Sequence, residues 1–259
     1  MSPVKIKAKA KKGKKKRDQQ EYSAEFTFEE ERPKTKRKSW SIHDLVSIRA
    51  QTENQQRVLD LFYQDKHLAL TGCAGTGKTF LASYLACNSV LDPHCEISRI
   101  IIVRSAVQSR DVGFLPGTLE EKLAQYEIPY RDTFAYLLRR PSSYDDMKEA
   151  GLVEFVSTSF LRGLTFDNAF IIFDECQNAE FRELNTVLTR MGRNSRVIMI
   201  GDTAQTDLDK RKYQSGLMQF LDVAQTMDCF GMIDFQIPDI VRSGFAREWI
   251  QACYNKGIV

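Results

Sequence analysis

Residues 72 to 79 read Gly72-Cys73-Ala74-Gly75-Thr76-Gly77-Lys78-Thr79, a complete phosphate-binding loop. The run follows the apolar stretch Leu68-Ala69-Leu70 and leads into Phe80, Leu81, Tyr84 and Leu85 at helical spacing, so it has the strand before it and the helix after it that the motif requires. Glycines at 72, 75 and 77 let the chain curl until successive amide hydrogens, with the positive end of the following helix, face one phosphate group. Cys73, Ala74, Thr76 and Phe80 complete the segment expected to line a bound nucleotide. Lys78 is expected to reach the β and γ phosphates of ATP as a point charge, and the Thr79 hydroxyl to hold magnesium.

Outward from the loop, apolar runs rich in Ile, Val and Phe read as strands at Leu68 to Thr71, Ile100 to Val103, Leu152 to Val156, Ala169 to Phe173, Arg196 to Ile200 and Gly231 to Phe235. Continuous runs of this kind imply burial on both faces, and helical patterns alternate with them. The expected fold is α/β: a three-layer P-loop NTPase of RecA-like type with a mostly parallel central sheet. One body over residues 39–259 is expected, after a basic arm over residues 1–38.

The fourth strand ends in two adjacent carboxylates, Asp174 and Glu175. In a parallel sheet ligands gather beyond the carboxyl ends of the strands, which brings this pair beside the phosphate loop. Asp174 suits magnesium, and a carboxylate next to it suits polarising an attacking water, with capping of the next helix as the alternative for Glu175. The fifth strand delivers Gly201-Asp202-Thr203-Ala204-Gln205 to the same edge, where Gln205 would sense the γ phosphate. Upstream, Asn54 and Gln55 carry amides able to pair with the edge of adenine, although a surface helix rich in glutamine would look the same.

Charge divides unevenly. Residues 1–38 hold 14 Lys and Arg against 6 Asp and Glu, while the whole chain of 259 residues carries a formal +3. The arm's run KIKAKAKKGKKKR has one large apolar residue and cannot offset the entropy of ordering, so it is expected to be disordered, either as a nucleic-acid arm or as a solubilising tail. Six cysteines without a C-x-x-C pair and three histidines argue against a disulfide framework or a zinc site. No apolar run reaches the length of a membrane span, and no apolar stretch follows the basic start. The expectation is a soluble, cytoplasmic protein with no membrane partner.

Taken in order, TENQ (52–55), TGCAGTGKTFLA (71–82), IIVRSAV (101–107), GFLPG (113–117), FLRGLTF (160–166), FIIFDECQNA (170–179), LTRMGRNS (188–195), IGDTAQTDL (200–208), SGL (215–217) and IVRS (240–243) resemble the PhoH family. Its members are phosphate-starvation-inducible ATPases whose core is similar to the first motor domain of superfamily 1 helicases. Two positions depart from the family pattern: Cys73 stands where proline is usual, and Ser243 where histidine is common. The resemblance implies a ring, with six subunits as the expected number.

Phosphoryl transfer needs a further cation, and an arginine reaching the γ phosphate is worth roughly 10³ to 10⁵ in rate. The sequence offers no second motor domain to carry it, so a neighbouring copy in a head-to-tail homo-oligomer is expected to supply it. Arg242 is the first choice, followed by Arg190 and Arg162. Arg242 is expected to open a last helix whose Val241, Phe245, Trp249 and Ile250 face the core. Arg104, Arg110, Phe114 and Arg162 are candidate contacts for single-stranded nucleic acid, RNA before DNA, with packing or ion pairing as the plain alternative for each. Two other classes share the loop: an ATP-dependent assembly switch without motor activity, and a small-molecule kinase.

Overall fold

The computed structural model describes residues 40–105, 119–161, 163, 165–202 and 216–256. The chain divides into Met1–Arg37, which lies outside the described residues, and Lys38–Val259.

The described residues of the second unit hold six strands, β1 (His67–Gly72), β2 (Arg99–Arg104), β3 (Val153–Ser157), β4 (Ala169–Asp174), β5 (Arg196–Ile200) and β6 (Phe230–Phe235). They form one sheet in the order β3-β2-β4-β5-β1-β6, and every pairing in it is parallel. Each observed strand lies within one residue of its expected position at either end. Among the described residues, seven α-helices connect and cover the strands: α1 (Glu53–Tyr63), α2 (Lys78–Leu91), α3 (Leu119–Leu137), α4 (Ser143–Glu149), α5 (Phe181–Leu188), α6 (Leu217–Ala224) and α7 (Gly244–Asn255).

Period-two alternation explains the three layers. Leu68, Leu70, Ile100, Ile102, Phe170, Ile172, Ile198 and Ile200 point to one face and pack with Val58, Leu81, Leu85, Phe134 and Tyr144 from α1 to α4. Their neighbours Ala69, Ile101, Val103, Ile171, Phe173, Val197 and Met199 point to the other, against Leu184 and Val187 of α5 and Leu217 and Phe220 of α6. The four central strands are therefore buried on both sides, which is why their sequences read as unbroken apolar runs.

α7 departs from expectation. Val241 and Ile250 are half-buried, but Phe245 and Trp249 are 77% and 61% exposed, and no residue of the helix is fully buried. The two exposed rings stack on each other with centroids 6.1 Å apart. Helical spacing groups these residues correctly, yet the wall that the helix uses is a different one: Ile250 lies against Gly75 of the phosphate loop, and the Tyr254 hydroxyl lies beside Cys73. Arg242 precedes the helix rather than opening it.

Candidate nucleotide site

The phosphate loop is held where β1 stops. Gly72 adopts φ +99°, and a Cβ there would lie 2.0 Å from the carbonyl oxygen of Phe235, so neither the backbone angle nor the space admits a side chain. Cys73 N donates to that same carbonyl at 2.9 Å, which fastens the start of the loop to β6. Gly77 caps α2 in a left-handed conformation, φ 86°, leaving the first amides of α2 to face outward.

Lys78 lies over the loop, its Nζ donating to the carbonyls of Gly72 at 2.7 Å and Cys73 at 2.6 Å. Burial holds the ammonium below its ordinary value, and Asp202, Cys73, Asp174 and Glu175 pull in the opposite direction. Thr79 Oγ1 stands 3.4 Å from Asp174 Oδ1. A hydroxyl and a carboxylate oxygen, both hard donors, fit a magnesium ion that completes its shell with phosphate oxygens and water. The other oxygen, Asp174 Oδ2, accepts from the buried hydroxyl of Tyr130 on α3. Burial and then the Asp174 charge push Tyr130 well above the ordinary phenol value, so it remains the donor in that bond.

Glu175 has φ 56°, a left-handed angle that a non-glycine residue adopts at a cost of roughly 1 to 3 kcal/mol. Its Oε1 lies 3.7 Å from the Arg104 guanidinium at the end of β2, and its Oε2 accepts from Gln177 Nε2. Gln177 is itself buried, and its Oε1 accepts from Asp202 N at 3.0 Å, which ties Glu175 to the end of β5.

Gln55 is buried, and its amide is engaged on the loop: Nε2 donates to Thr76 O at 2.9 Å, while Oε1 accepts from Gln51 N at 2.9 Å. Asn54 bonds Asp239 Oδ2 at 2.8 Å. Beside them opens a cleft of about 480 Å³ between the start of α1 and Gln236, Pro238 and Asp239. The stretch before α7 also lies on the loop, with Val241 N donating to Gly75 O at 3.1 Å. Arg242 is exposed, and its Cγ would lie 3.0 Å from a Cβ at Gly75 of the same chain. Arg190 sits before β5, at the opposite edge of the sheet from the loop. Gln205, Arg110, Phe114 and Arg162 lie outside the described residues.

The sequence reading missed Tyr130 and Gln177. Tyr130 reaches Asp174 from 44 residues away with no motif around it. Gln177 had a local signal, an amide two residues after Glu175 where the turn folds back on the strand end.

The order of strands fixes the geometry: β5 separates β4 from β1, so the two carboxylates and the phosphate loop flank the end of one intervening strand. This is a P-loop NTPase fold, and the family model described as PhoH-like protein matches residues 47–255. The chain belongs to the PhoH family. Over 207 residues it is 34% identical to a PhoH-like protein of Mycobacterium leprae, covering 80% of this chain and 58% of that protein. The protein PhoH of Escherichia coli K12 is 35% identical over 214 residues, 81% of this chain and 59% of the relative. This PhoH-family chain thus spans about three fifths of the length of such relatives. Among solved structures it is similar to a Pif1 helicase of Candida albicans, at a TM-score of 0.42 and 15% identity over 81% of this chain and 44% of that one. It is also similar to a Bacteroides Pif1 bound to single-stranded DNA, at a TM-score of 0.36 and 16% identity over 82% of this chain and 46% of that one. No described helix is long and apolar enough to cross a membrane.

Proposed function

We propose that this chain hydrolyses ATP with magnesium and couples the turnover to single-stranded nucleic acid, RNA before DNA. The observation that carries the reading is the alignment of Lys78, Thr79 and Asp174 around the phosphate loop with Glu175 next in sequence. Lys78 leaves the loop carbonyls for the β and γ phosphates, exchanging two neutral acceptors for charged ones. Thr79 and Asp174 would hold magnesium, and Tyr130 fixes the orientation of Asp174 from behind. Magnesium held there would draw charge from the phosphates. Glu175 takes a proton from the attacking water, and Gln205 senses the γ phosphate. The cleft beside Asn54 has room for the nucleoside end of ATP.

The charge that completes the site is Arg242, supplied by a neighbouring copy in a ring of six. Its exposure next to the stacked Phe245 and Trp249 supports a subunit contact there. One observation favours a second reading: the Arg242 stem lies on Gly75 of its own chain, which suits a role within one subunit.

ATP turnover by a sized oligomer, with and without single-stranded RNA and DNA, tests the whole. Wild type is expected to be stimulated, and Glu175→Gln to bind ATP with a rate lower by about 10² to 10⁴. Wild-type turnover in Glu175→Gln removes the general base. Turnover that requires a small-molecule acceptor points to a kinase, and turnover indifferent to nucleic acid points to an assembly switch.

A further inference from the structure

Asp174 and Glu175 are adjacent, yet different elements hold their carboxylates, and one oxygen of Glu175 is restrained from the β2 side. β4 lies between β2 on one side and β5, then β1, on the other. Asp174 Oδ1 faces Thr79 on the β1 side. Arg104, paired in register with Asp174 across β2 and β4, draws Glu175 Oε1 to the β2 side. The guanidinium is braced, because its carbon stands 4.7 Å from the centre of the Tyr126 ring. Tyr126 and Tyr130 are one helical turn apart on α3, so the same helix face supports Arg104 and Asp174.

We propose that Arg104 is a positioning residue that parks Glu175 away from the attacking water, and that a phosphodiester backbone competing for Arg104 releases it. The inference rests on the assignment of Glu175 as the general base and adds how that base is controlled. Both side chains remain within reach of solvent, at 22% exposure for Arg104 and 42% for Glu175, so an outside anion has access to the pair. A guanidinium fits a phosphate in the same forked geometry that it offers a carboxylate, so nucleic acid replaces Glu175 without leaving Arg104 unpaired. Gln177 still holds the released carboxylate, and Gln177 is anchored on Asp202 at the end of β5, next to the loop strand. Release therefore moves Glu175 toward the nucleotide rather than into solvent at large.

The test compares wild type, Arg104→Ala, Arg104→Lys and Glu175→Gln in steady-state ATP turnover, each with and without a 30-nucleotide oligouridylate. A fluorescent ATP analogue reports nucleotide affinity separately. Loss of a half-exposed ion pair is expected to raise the kcat of Arg104→Ala without RNA about two- to fivefold. KM and analogue affinity stay at wild-type values, and RNA adds little further. Arg104→Lys keeps the charge and restores part of the restraint. An Arg104→Ala kcat at or below wild type, with analogue affinity intact, overturns the parking. A variant that has lost analogue affinity as well is misfolded, and the sign of the change in Arg104→Lys then decides by the same criterion. Stimulation of Arg104→Ala by RNA to the same degree as wild type overturns the release by phosphodiester. Failure of the underlying reading looks different, because Glu175→Gln would then turn over at the wild-type rate whatever Arg104 does.

Discussion

Two of the segments that touch the phosphate loop do so in opposite ways. β6 meets it through backbone, with Gly72 aligned to Phe235 and Cys73 N bonded to the Phe235 carbonyl. α7 meets it through the tips of Ile250 and Tyr254 and turns its aromatic pair to solvent. The first contact tolerates no added atom, whereas the second is a side-chain contact that leaves a helix without a buried residue. The loop therefore has a rigid side, fixed by main-chain contact with β6, and an open side, bordered by a helix with no buried residue.

The rigid side is open to the harshest test. Gly72→Ala places a methyl group against main-chain atoms at a left-handed angle and is expected to lower stability by more than about 3 kcal/mol, read as loss of a cooperative thermal transition. A melt close to wild type would break the contrast. The open side is sharpened by mixing Arg242→Ala with Lys78→Ala chains. If Arg242 serves a neighbour, an equal mixture recovers about a quarter of the wild-type rate, the share of interfaces that pair an intact loop with an intact arginine. No recovery at any ratio assigns Arg242 to its own loop. The smallest effect is expected at the aromatic pair, where Trp249→Ser should change the stability of the isolated chain by less than about 0.5 kcal/mol. Acrylamide should quench Trp249 freely in the monomer and poorly in the ring. A stability loss above about 2 kcal/mol would show that α7 belongs to the core after all.

How much of this was legible in the sequence follows from the same contrast. Features imposed by the main chain were readable, because few residue types satisfy them. Glycine at 72, 75 and 77 declares backbone angles, and the apolar runs from Ile100 to Val103 and Ala169 to Phe173 declare strands covered on both sides. The pair Asp174-Glu175 was readable because a buried strand that ends in two charges has few other uses. α7 was misread because helical periodicity reports which residues share a face, not what lies opposite it. Phe245, Trp249 and Ile250 recur as a core face would, but the sheet is already covered by α1 to α6. Side chains that act across the fold left the least trace. Tyr130 follows Pro129 in the middle of α3, a residue type that usually disrupts a helix, and nothing near it announces a bond to Asp174. Asn54 and Gln55 drew notice for their amides, yet Gln55 is bound to loop backbone and Asn54 to Asp239.

The place of β1 between β5 and β6 bears on how the chain matures as it leaves the ribosome. The strand that carries the loop is made early, but both of its partners are made after residue 195. Until Phe235 emerges, Cys73 has no carbonyl to bind, and the curl of the loop is unsupported on that side. Nascent chains halted before β6 should therefore be unable to retain nucleotide, and the long-range pairing predicts slow final consolidation, with exposed strand edges in need of chaperone cover.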